Sequence, residues 1–398
     1  MKFEFSLPTL EQMRASPDGM AMLRMIDDES FKGGLVTGCP GSGKTTISIY
    51  RLIRLHRARQ KVQLLTFQKM LVMSIQSLSR SQSVPRDCVN TFHKWYYSLT
   101  GSKFDLECPP SAETITNSLG SSSLARTRIR ELIIDEGQDL PRSVFQALPS
   151  FCDRFFTGAD NGQQVYPRHG ARVEQIEEAI KKTSGGKFAR FPLGRNFRNS
   201  YETYKFARQF ISRTNQVAWD ETILDRLDRA NRHGAKPTVI SYSNPAERDA
   251  HMKMVLKNAA GNVAVLCPRG AKVGRYFHGE TVEDTFSAIS NMGIQASWYF
   301  SKERAEVPEN PERYIVTTFK SAKGMEFDVV VIPRINYDRQ IPQEWYVACT
   351  RARRQLFIYR DISTPQYDPL AKFDPSTFEA ETAKPASTSA GLDEDLPF

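Results

Sequence analysis

The sequence predicts an α/β protein of two domains, each built on a parallel β-sheet with helices on both faces. Three observations carry that expectation. The chain has 398 residues, enough for two or three independent cores. Short apolar runs rich in β-branched residues each end in polar or glycine-rich residues, and helical patterns separate many of them. A strand that returns to its sheet through a helix must lie parallel to its predecessor, so the alternation implies parallel sheets covered on both sides.

The first set of runs is GGLVTG at 33, KVQLLTF at 61, ELIIDE at 131 and DRFFTGAD at 153. The second is PTVISY at 237, NVAVLCP at 262, RYIVTTF at 313, DVVVIP at 328 and RQLFIY at 354, with helical stretches such as ERDAHMKMVLKNAA between. Between the sets lies KKTSGGKFARF at 181, whose Ser184, Gly185 and Gly186 have the composition of a hinge. The expected units are therefore a first domain over 1–187 and a second over 188–365. Residues 366–398, rich in Ser, Thr, Ala, Pro and acids, read as a disordered acidic tail.

With 40% apolar and 25% charged residues, the composition is that of an ordinary globular protein. No apolar run reaches the ~18 residues of a membrane span, and MKFEFSLPTLEQ lacks the basic-then-apolar order of a secretory signal, so a cytoplasmic location is expected. The six cysteines never form a CxxC pair, which argues against a zinc knuckle or a disulfide framework. Charge is uneven: residues 361–398 hold eight acids and two lysines, so against +9 overall the first 360 residues carry +15. A basic body with an acidic tail points to a polyanionic partner for the body.

The stretch GCPGSGKTT, Gly38, Cys39, Pro40, Gly41, Ser42, Gly43, Lys44, Thr45 and Thr46, fits GxxxxGK[ST] and follows the apolar run GGLV. Glycines there let successive backbone N–H groups turn inward around phosphate oxygens. Lys44 would reach the β- and γ-phosphates and Thr45 would bind Mg²⁺. LIIDEGQD supplies the complementary half, because its acids follow a buried strand. Asp135 would hold Mg²⁺ through its water shell, and Glu136 would polarise the attacking water. The predicted cofactors are ATP and Mg²⁺.

With these residues in hand, the chain resembles superfamily-one helicases of the UvrD, Rep and PcrA type. DEGQD is similar to their DExQD motif, and further motifs follow in the family's order. LPTLEQ resembles the adenine-reading segment and implies that Gln12 meets the adenine edges. LLTFQKML and TFHKW resemble two single-strand-contacting motifs, which implicates Thr66, Phe67, Thr91 and His93. TGADNGQQVY is similar to GDxxQxIY, with Gln163 toward the γ-phosphate and Tyr166 toward the strand. LGRNFRNS resembles QNYRS, implying Phe197 on adenine and Arg198 on the γ-phosphate. VTTFKSAKGMEF is similar to TxHxxKGxEF, with Glu326 toward the ribose and Thr318 and Lys320 toward nucleic acid. VACTRA makes Arg351 a second γ-phosphate arginine.

The resemblance implies two RecA-like domains with ATP in the cleft between them, and an ATP hydrolase acting as a single-stranded DNA translocase or helicase, 3′ to 5′. An alternative is a DNA-gated ATPase that senses strands for a partner enzyme. Aromatic side chains at Phe67, Phe92, His93 and Tyr166 are candidates to stack bases, whereas Trp95, Tyr96 and Tyr97 read as core.

The chain departs from the family at several points. Only about 35 residues separate TFHKW from ELIID and about a dozen separate GIQASWYF from RYIVTTF, too few for the large accessory subdomains of the relatives. Arg168 stands where a base-stacking tryptophan is expected, Lys320 replaces a histidine, and Thr46 stands where relatives often carry arginine. Finally, GLDEDLPF resembles the tip of bacterial single-stranded-DNA-binding proteins and implies a protein partner for Asp395, Leu396, Pro397 and Phe398.

Overall fold

The computed structural model describes residues 2–3, 7–16, 18–80, 82–122, 128–211, 220–271, 281–300, 311–336, 341–363 and 367–383. The apolar runs of the first set form strands β1 (Gly33–Gly38), β2 (Val62–Thr66), β3 (Val89–Thr91), β4 (Ile129–Ile134), β5 (Cys152–Ala159) and β6 (Phe188–Leu193). They pair in the order β3-β2-β4-β5-β1-β6, parallel throughout. Neighbouring residues on one strand point to opposite faces. Val36, Ile133 and Phe156 therefore pack with helices α1 (Leu10–Ala15), α2 (Gly19–Asp27), α3 (Lys44–Arg57) and α4 (Lys69–Arg80). Leu35, Leu132 and Phe155 pack on the other side with α5 (Phe92–Thr100), α6 (Ala112–Gly120), α7 (Arg142–Ala147) and α8 (Val173–Thr183).

Helices α9 (Tyr201–Ala207) and α10 (Asp220–Arg229) lead into the second sheet. Its strands are β7 (Thr238–Tyr242), β8 (Val263–Cys267), β9 (Ser297–Tyr299), β10 (Tyr314–Thr318), β11 (Phe327–Ile332), β12 (Ala352–Asp361) and β13 (Glu379–Thr382). The order β13-β7-β12-β11-β8-β10-β9 is again parallel in every pairing. Helices α11 (Pro245–Asn258) and α12 (Val282–Asn291) cover one face, and α13 (Pro342–Cys349) with α9 covers the other. The α/β class with two helix-flanked parallel sheets is thus what the alternation predicted. The two units share a packed interface, where Met70 and Ser74 of α4 meet Thr317 and Met325.

One charged cluster is buried inside the first unit. Arg51 of α3 grips Glu131 of β4 in a bidentate pair at 2.7 and 2.8 Å, and Arg154 of β5 adds a third bond at 2.8 Å. Arg51 and Glu131 have no exposed surface, so their charges must satisfy each other.

Four expectations need correction. The division at 187/188 is misplaced, because 188–193 form β6 and pair with β1 of the first sheet; the hinge-like glycines only close the α8–β6 turn. The segment 367–383, expected to be structureless, is folded. Phe373 and Phe378 insert against Phe206 and Phe210, and β13 adds to the edge of the second sheet beside β7. Residues 384–398, including Asp395, Leu396, Pro397 and Phe398, lie outside the described residues. Phe92 is fully buried in a cluster with Trp95, Tyr96 and Phe104, so it is core, whereas helical periodicity turns Tyr97 outward to 53% exposure. Among the described residues, no helix is long and apolar enough to cross a membrane.

Candidate functional site

The C-terminal end of β1 opens directly into α3, and the connection supplies the loop predicted to cradle phosphates. Gly41 and Gly43 adopt φ of +71° and +98°, left-handed conformations that favour glycine. At Gly41 a Cβ would also collide with Arg198 Cβ at 2.5 Å, so the loop lies flat against the second unit. Gly38, Cys39 and Pro40 sit behind this rim. The carbonyls of Gly38 and Cys39 accept from Lys44 Nζ at 2.7 and 3.0 Å and hold the ammonium at the helix start.

Thr45 Oγ1 donates to Asp135 Oδ2 at 2.7 Å, while Asp135 Oδ1 is buried without a partner. This hydroxyl–carboxylate pair with a spare buried oxygen fits an octahedral cation that keeps most of its waters, as Mg²⁺ does. The adjacent Glu136 carries the left-handed backbone φ of 57°, uncommon outside glycine, and such strain of about 1–3 kcal/mol concentrates at functional positions. Burial, reinforced by Glu136, raises the pKa of Asp135. For Glu136 burial pushes upward, but Lys323, Lys44 and Arg351 outweigh it and keep the carboxylate ionised. Gln138 Nε2 donates to Glu136 Oε2 at 2.7 Å and orients it.

A cavity of about 400 Å³ lies between the two units. Gln12, Gly41, Ser42, Gly43, Lys44, Thr45, Thr46, Glu136 and Gln163 line it from the first, and Phe197, Arg198, Glu326 and Arg351 from beyond β6. Gln12 is partly committed already, because its carboxamide oxygen accepts from the Thr9 N–H at 2.8 Å in the cap of α1. Arg198 Nε meets Glu326 Oε2 at 3.1 Å. Arg351 is 1% exposed, and its Nη2 donates to Gln163 Oε1 across the cleft at 2.8 Å. Its other bonds run to Val347 O, Met325 O and Thr350 Oγ1. Burial, then the nearby Arg198, pulls its pKa down to about 9. The arrangement can hold a polyanion and a divalent cation at one end, with a carboxylate placed to take a proton.

A second, larger recess of about 950 Å³ also receives residues from both units. Phe67, Thr91, His93, Tyr166 and Arg168 come from the first, and Thr318 and Lys320 from the second. Phe67 packs on His93 at 5.2 Å and on Tyr166 at 4.8 Å between ring centres. Lys320 Nζ sits 4.8 Å over the Tyr166 ring and 3.0 Å from Glu344. Thr66 does not join them: it is fully buried at the end of β2, a strand with both faces covered, Leu64 on one and Leu65 on the other.

Sequence reasoning gave no role to Lys323, Asp139, Asp160, Arg353 or Arg269. Lys323 is buried and bonds Asp139 Oδ2 at 2.7 Å. Asp160 accepts from Gln163 Nε2 at 2.7 Å. Arg353 lines the cavity 3.6 Å from Glu326, and Arg269 lines the recess. The available signal for Lys323, Asp139 and Asp160 was the motifs themselves, since each occupies a lettered position of TxHxxKGxEF, DExQD or GDxxQxIY.

No protein-family model matches the chain. A 76-residue stretch is 32% identical to the RecBCD enzyme subunit RecB of Chlamydia pneumoniae, covering 18% of this chain and 7% of that protein. The chain therefore spans a small fraction of the curated relative it matches. Similar solved structures include the C-terminal domain of a possible DNA helicase from Lactobacillus plantarum WCFS1, at 19% identity and a TM-score of 0.32 over 46% of this chain and 98% of that one. The PRRSV helicase is 13% identical, with a TM-score of 0.39 over 88% of this chain and 55% of that one. The arterivirus nonstructural protein 10 helicase is 14% identical, with a TM-score of 0.38 over 88% and 62%.

Proposed function

We propose that this chain is an ATP hydrolase that couples turnover to movement on single-stranded DNA, as a translocase or helicase running 3′ to 5′. The observation that carries the reading is Arg351. Its guanidinium is buried, and its hydrogen bonds run only to neutral oxygens, in a cavity it shares with Lys44 and Arg198. A buried cation in that state calls for an anionic ligand, and a triphosphate reached from both units meets the requirement.

In this reading Lys44 and the loop N–H groups hold the β- and γ-phosphates, Phe197 and Gln12 hold the base, and Glu326 holds the ribose. Thr45 and Asp135 position Mg²⁺, which when bound neutralises charge on the phosphate oxygens. Glu136 takes the proton of the attacking water, and Arg198 and Arg351 stabilise the charge that spreads as the phosphoryl group transfers. Loss of that group removes what both units grip, and the cleft relaxes. Thr91, His93 and Tyr166 would hold a strand from one unit and Thr318 and Lys320 from the other, so each relaxation shifts one grip against its counterpart. Arg168 would stack or contact phosphate there. The direction of movement rests on the family resemblance.

A second reading, the strand-gated ATPase with weak unwinding, is favoured by one observation. Among the described residues, the interval between α5 and β4 carries only the nine-residue α6, with no accessory subdomain. Residues 393–398, three acids followed by Leu396, Pro397 and Phe398, are proposed to engage a protein partner, and charge reversal at Asp395 should release it.

The deciding experiment measures ATP turnover with single-stranded DNA, with RNA and with no polymer, beside Glu136→Gln. The proposal expects stimulation by DNA of about tenfold or more and a Glu136→Gln protein that binds ATP yet barely turns over. Equal rates under all three conditions would refute it, and stimulation without strand displacement from a 3′-tailed duplex selects the second reading.

A further inference from the structure

We propose that the apolar groove behind α1 is a docking site for the C-terminal tip of this same chain, residues 391–398, whose apolar side chains fill the groove while its acids meet arginines at the rim. The inference goes beyond the function proposed above and does not depend on ATP turnover.

The groove, about 1070 Å³, opens on the first unit where α1, α2, α3 and α4 meet. Leu7, Leu10, Met20, Leu23, Ile53 and Leu78 supply its apolar lining. Leu10 and Met20 stand 43% and 54% exposed, two large apolar side chains left in water beside one recess. Arginines surround it. Arg54 is committed to Asp27 and Glu29 at 3.0 and 2.6 Å, and Arg57 donates to the neutral Gln82. Among the described residues, Arg14 and Arg24 meet no acid. Three acids also line the groove, but Asp27 is taken by Arg54 and Asp28 accepts from Ser30, so only Glu11 is left against Arg14, Arg24 and Arg57. An apolar floor with surplus positive charge at its rim selects a ligand that is both apolar and acidic.

The chain carries such a segment. Asp393, Glu394 and Asp395 stand between Leu392 and the run Leu396, Pro397 and Phe398, and the only opposite charge after Ala383 is Lys384. The fifteen residues after Ala383 reach up to about 50 Å when extended, against a radius of gyration of about 21 Å expected for a compact chain of this length. Contacts also lead from the C-terminal segment toward the groove. Phe378 packs on Phe206 of α9, and α9 packs on α10. A Cβ on Gly194 would meet Arg226 of α10 at 1.8 Å, and the next residue, Arg195, pairs with Asp18 at the start of α2 at 3.1 Å.

The groove shares a wall with the nucleotide cavity. Leu7 lines both, and α1 divides them, with Gln12, Met13 and Ser16 lining the cavity and Leu10, Glu11 and Arg14 lining the groove. Tyr50 of the groove donates to the carbonyl of Pro8 at 2.8 Å, and Pro8 lines the cavity. A seated tip therefore rests behind the wall that would meet the base, and it withdraws residues 393–398 from a protein partner.

The test follows a fluorescent peptide of residues 384–398 by anisotropy against full-length proteins: wild type, a tip-disabled chain (Asp395→Lys with Phe398→Ser), and the tip-disabled chain carrying Met20→Asp or Arg24→Glu. At an effective concentration of about 1 mM the attached tip outcompetes a peptide whose Kd lies below about 100 µM, so the tip-disabled chain should bind at least about tenfold more tightly than wild type. Met20→Asp and Arg24→Glu should each weaken that binding about tenfold. Both positions are exposed, and the comparison of wild type with the tip-disabled chain alters no described residue, so it decides even if a groove variant fails to fold. Equal affinity in those two proteins overturns the inference, as does a tip-disabled chain that binds no peptide below about 100 µM. Binding that ignores both groove substitutions, or displacement of the peptide by single-stranded DNA, puts the tip elsewhere and overturns it too. A scrambled peptide of the same composition that binds equally well reduces the contact to charge, against the inference. Self-association of wild type in sedimentation that vanishes in the tip-disabled chain assigns the tip to a second copy and likewise overturns it. Expected affinities in a protein without ATP hydrolysis refute the proposed function and leave this inference standing.

Discussion

Replacement of Arg351 by alanine probes the grip that the second unit exerts on nucleotide. Nε is tied to the Val347 carbonyl at 3.0 Å, so a phosphoryl group would be met by the two terminal nitrogens. Two charge-assisted hydrogen bonds at ~1.5–3 kcal/mol each amount to ~3–6 kcal/mol. If most of that is gained as charge spreads in the transition state, kcat falls by about 10²–10⁴, with nucleotide affinity changed by less than about tenfold. Arg351→Lys keeps the charge but loses the planar fork, and should recover only a small part of the rate. The assay is steady-state ATP turnover at saturating single-stranded DNA, paired with equilibrium titration of nucleotide. An alanine variant that folds, binds ATP and turns over within about threefold of wild type would refute the assignment, since even one such bond is worth more.

Other consequences concern stability and strand binding. Glu131→Gln strips the acid from between Arg51 and Arg154, leaving Arg51 a buried cation without an acid while Arg154 keeps Glu29 at 2.7 Å; a loss of about 3–5 kcal/mol is expected, read as a fall in Tm of roughly 5–10 °C, and an unchanged Tm would contradict it. Burial, then Lys69, holds the pKa of His93 below its ordinary value, so the free recess carries a neutral ring near pH 7. Strand phosphates favour the charged ring and raise that pKa, so binding at fixed salt should tighten as pH falls through the bound-state value and level off below the free-state value. His93→Gln should flatten that change in an anisotropy titration, and an identical slope in the variant counts against His93. Lys320→Ala should lower the slope of log affinity against log salt by about one if Lys320 contacts a phosphate, and leave it unchanged otherwise.

Much of the fold was readable because its signals are local. The phosphate-loop pattern needs eight adjacent residues and the acid pair two, and each sits where a buried strand ends. Arg198 and Arg351 were found through resemblance, since no spacing rule links residues 153 positions apart; the structure brings both to one cavity with Lys44. Lys323 and Asp139 stand in the same motifs, but their contact joins positions 184 apart and only packing of the two units creates it. The β6 boundary was misjudged because Gly185 and Gly186 serve a tight turn as readily as a hinge. Phe373 and Phe378 were hidden in a polar stretch whose composition outweighed two aromatic anchors. Thr66 was assigned to the recess by its motif, although burial on both faces of β2 keeps it out.

The central claim is that one triphosphate is held from both units, and binding of ADP with aluminium fluoride and Mg²⁺, which imitates the phosphoryl group in flight, measures it most directly. Wild type should bind this mimic at least about 10²-fold more tightly than ADP alone, and the Arg198→Ala, Arg351→Ala double variant should lose that preference while still binding ADP. Equal affinity for the mimic and ADP in wild type, or a preference that survives both substitutions, would contradict the account.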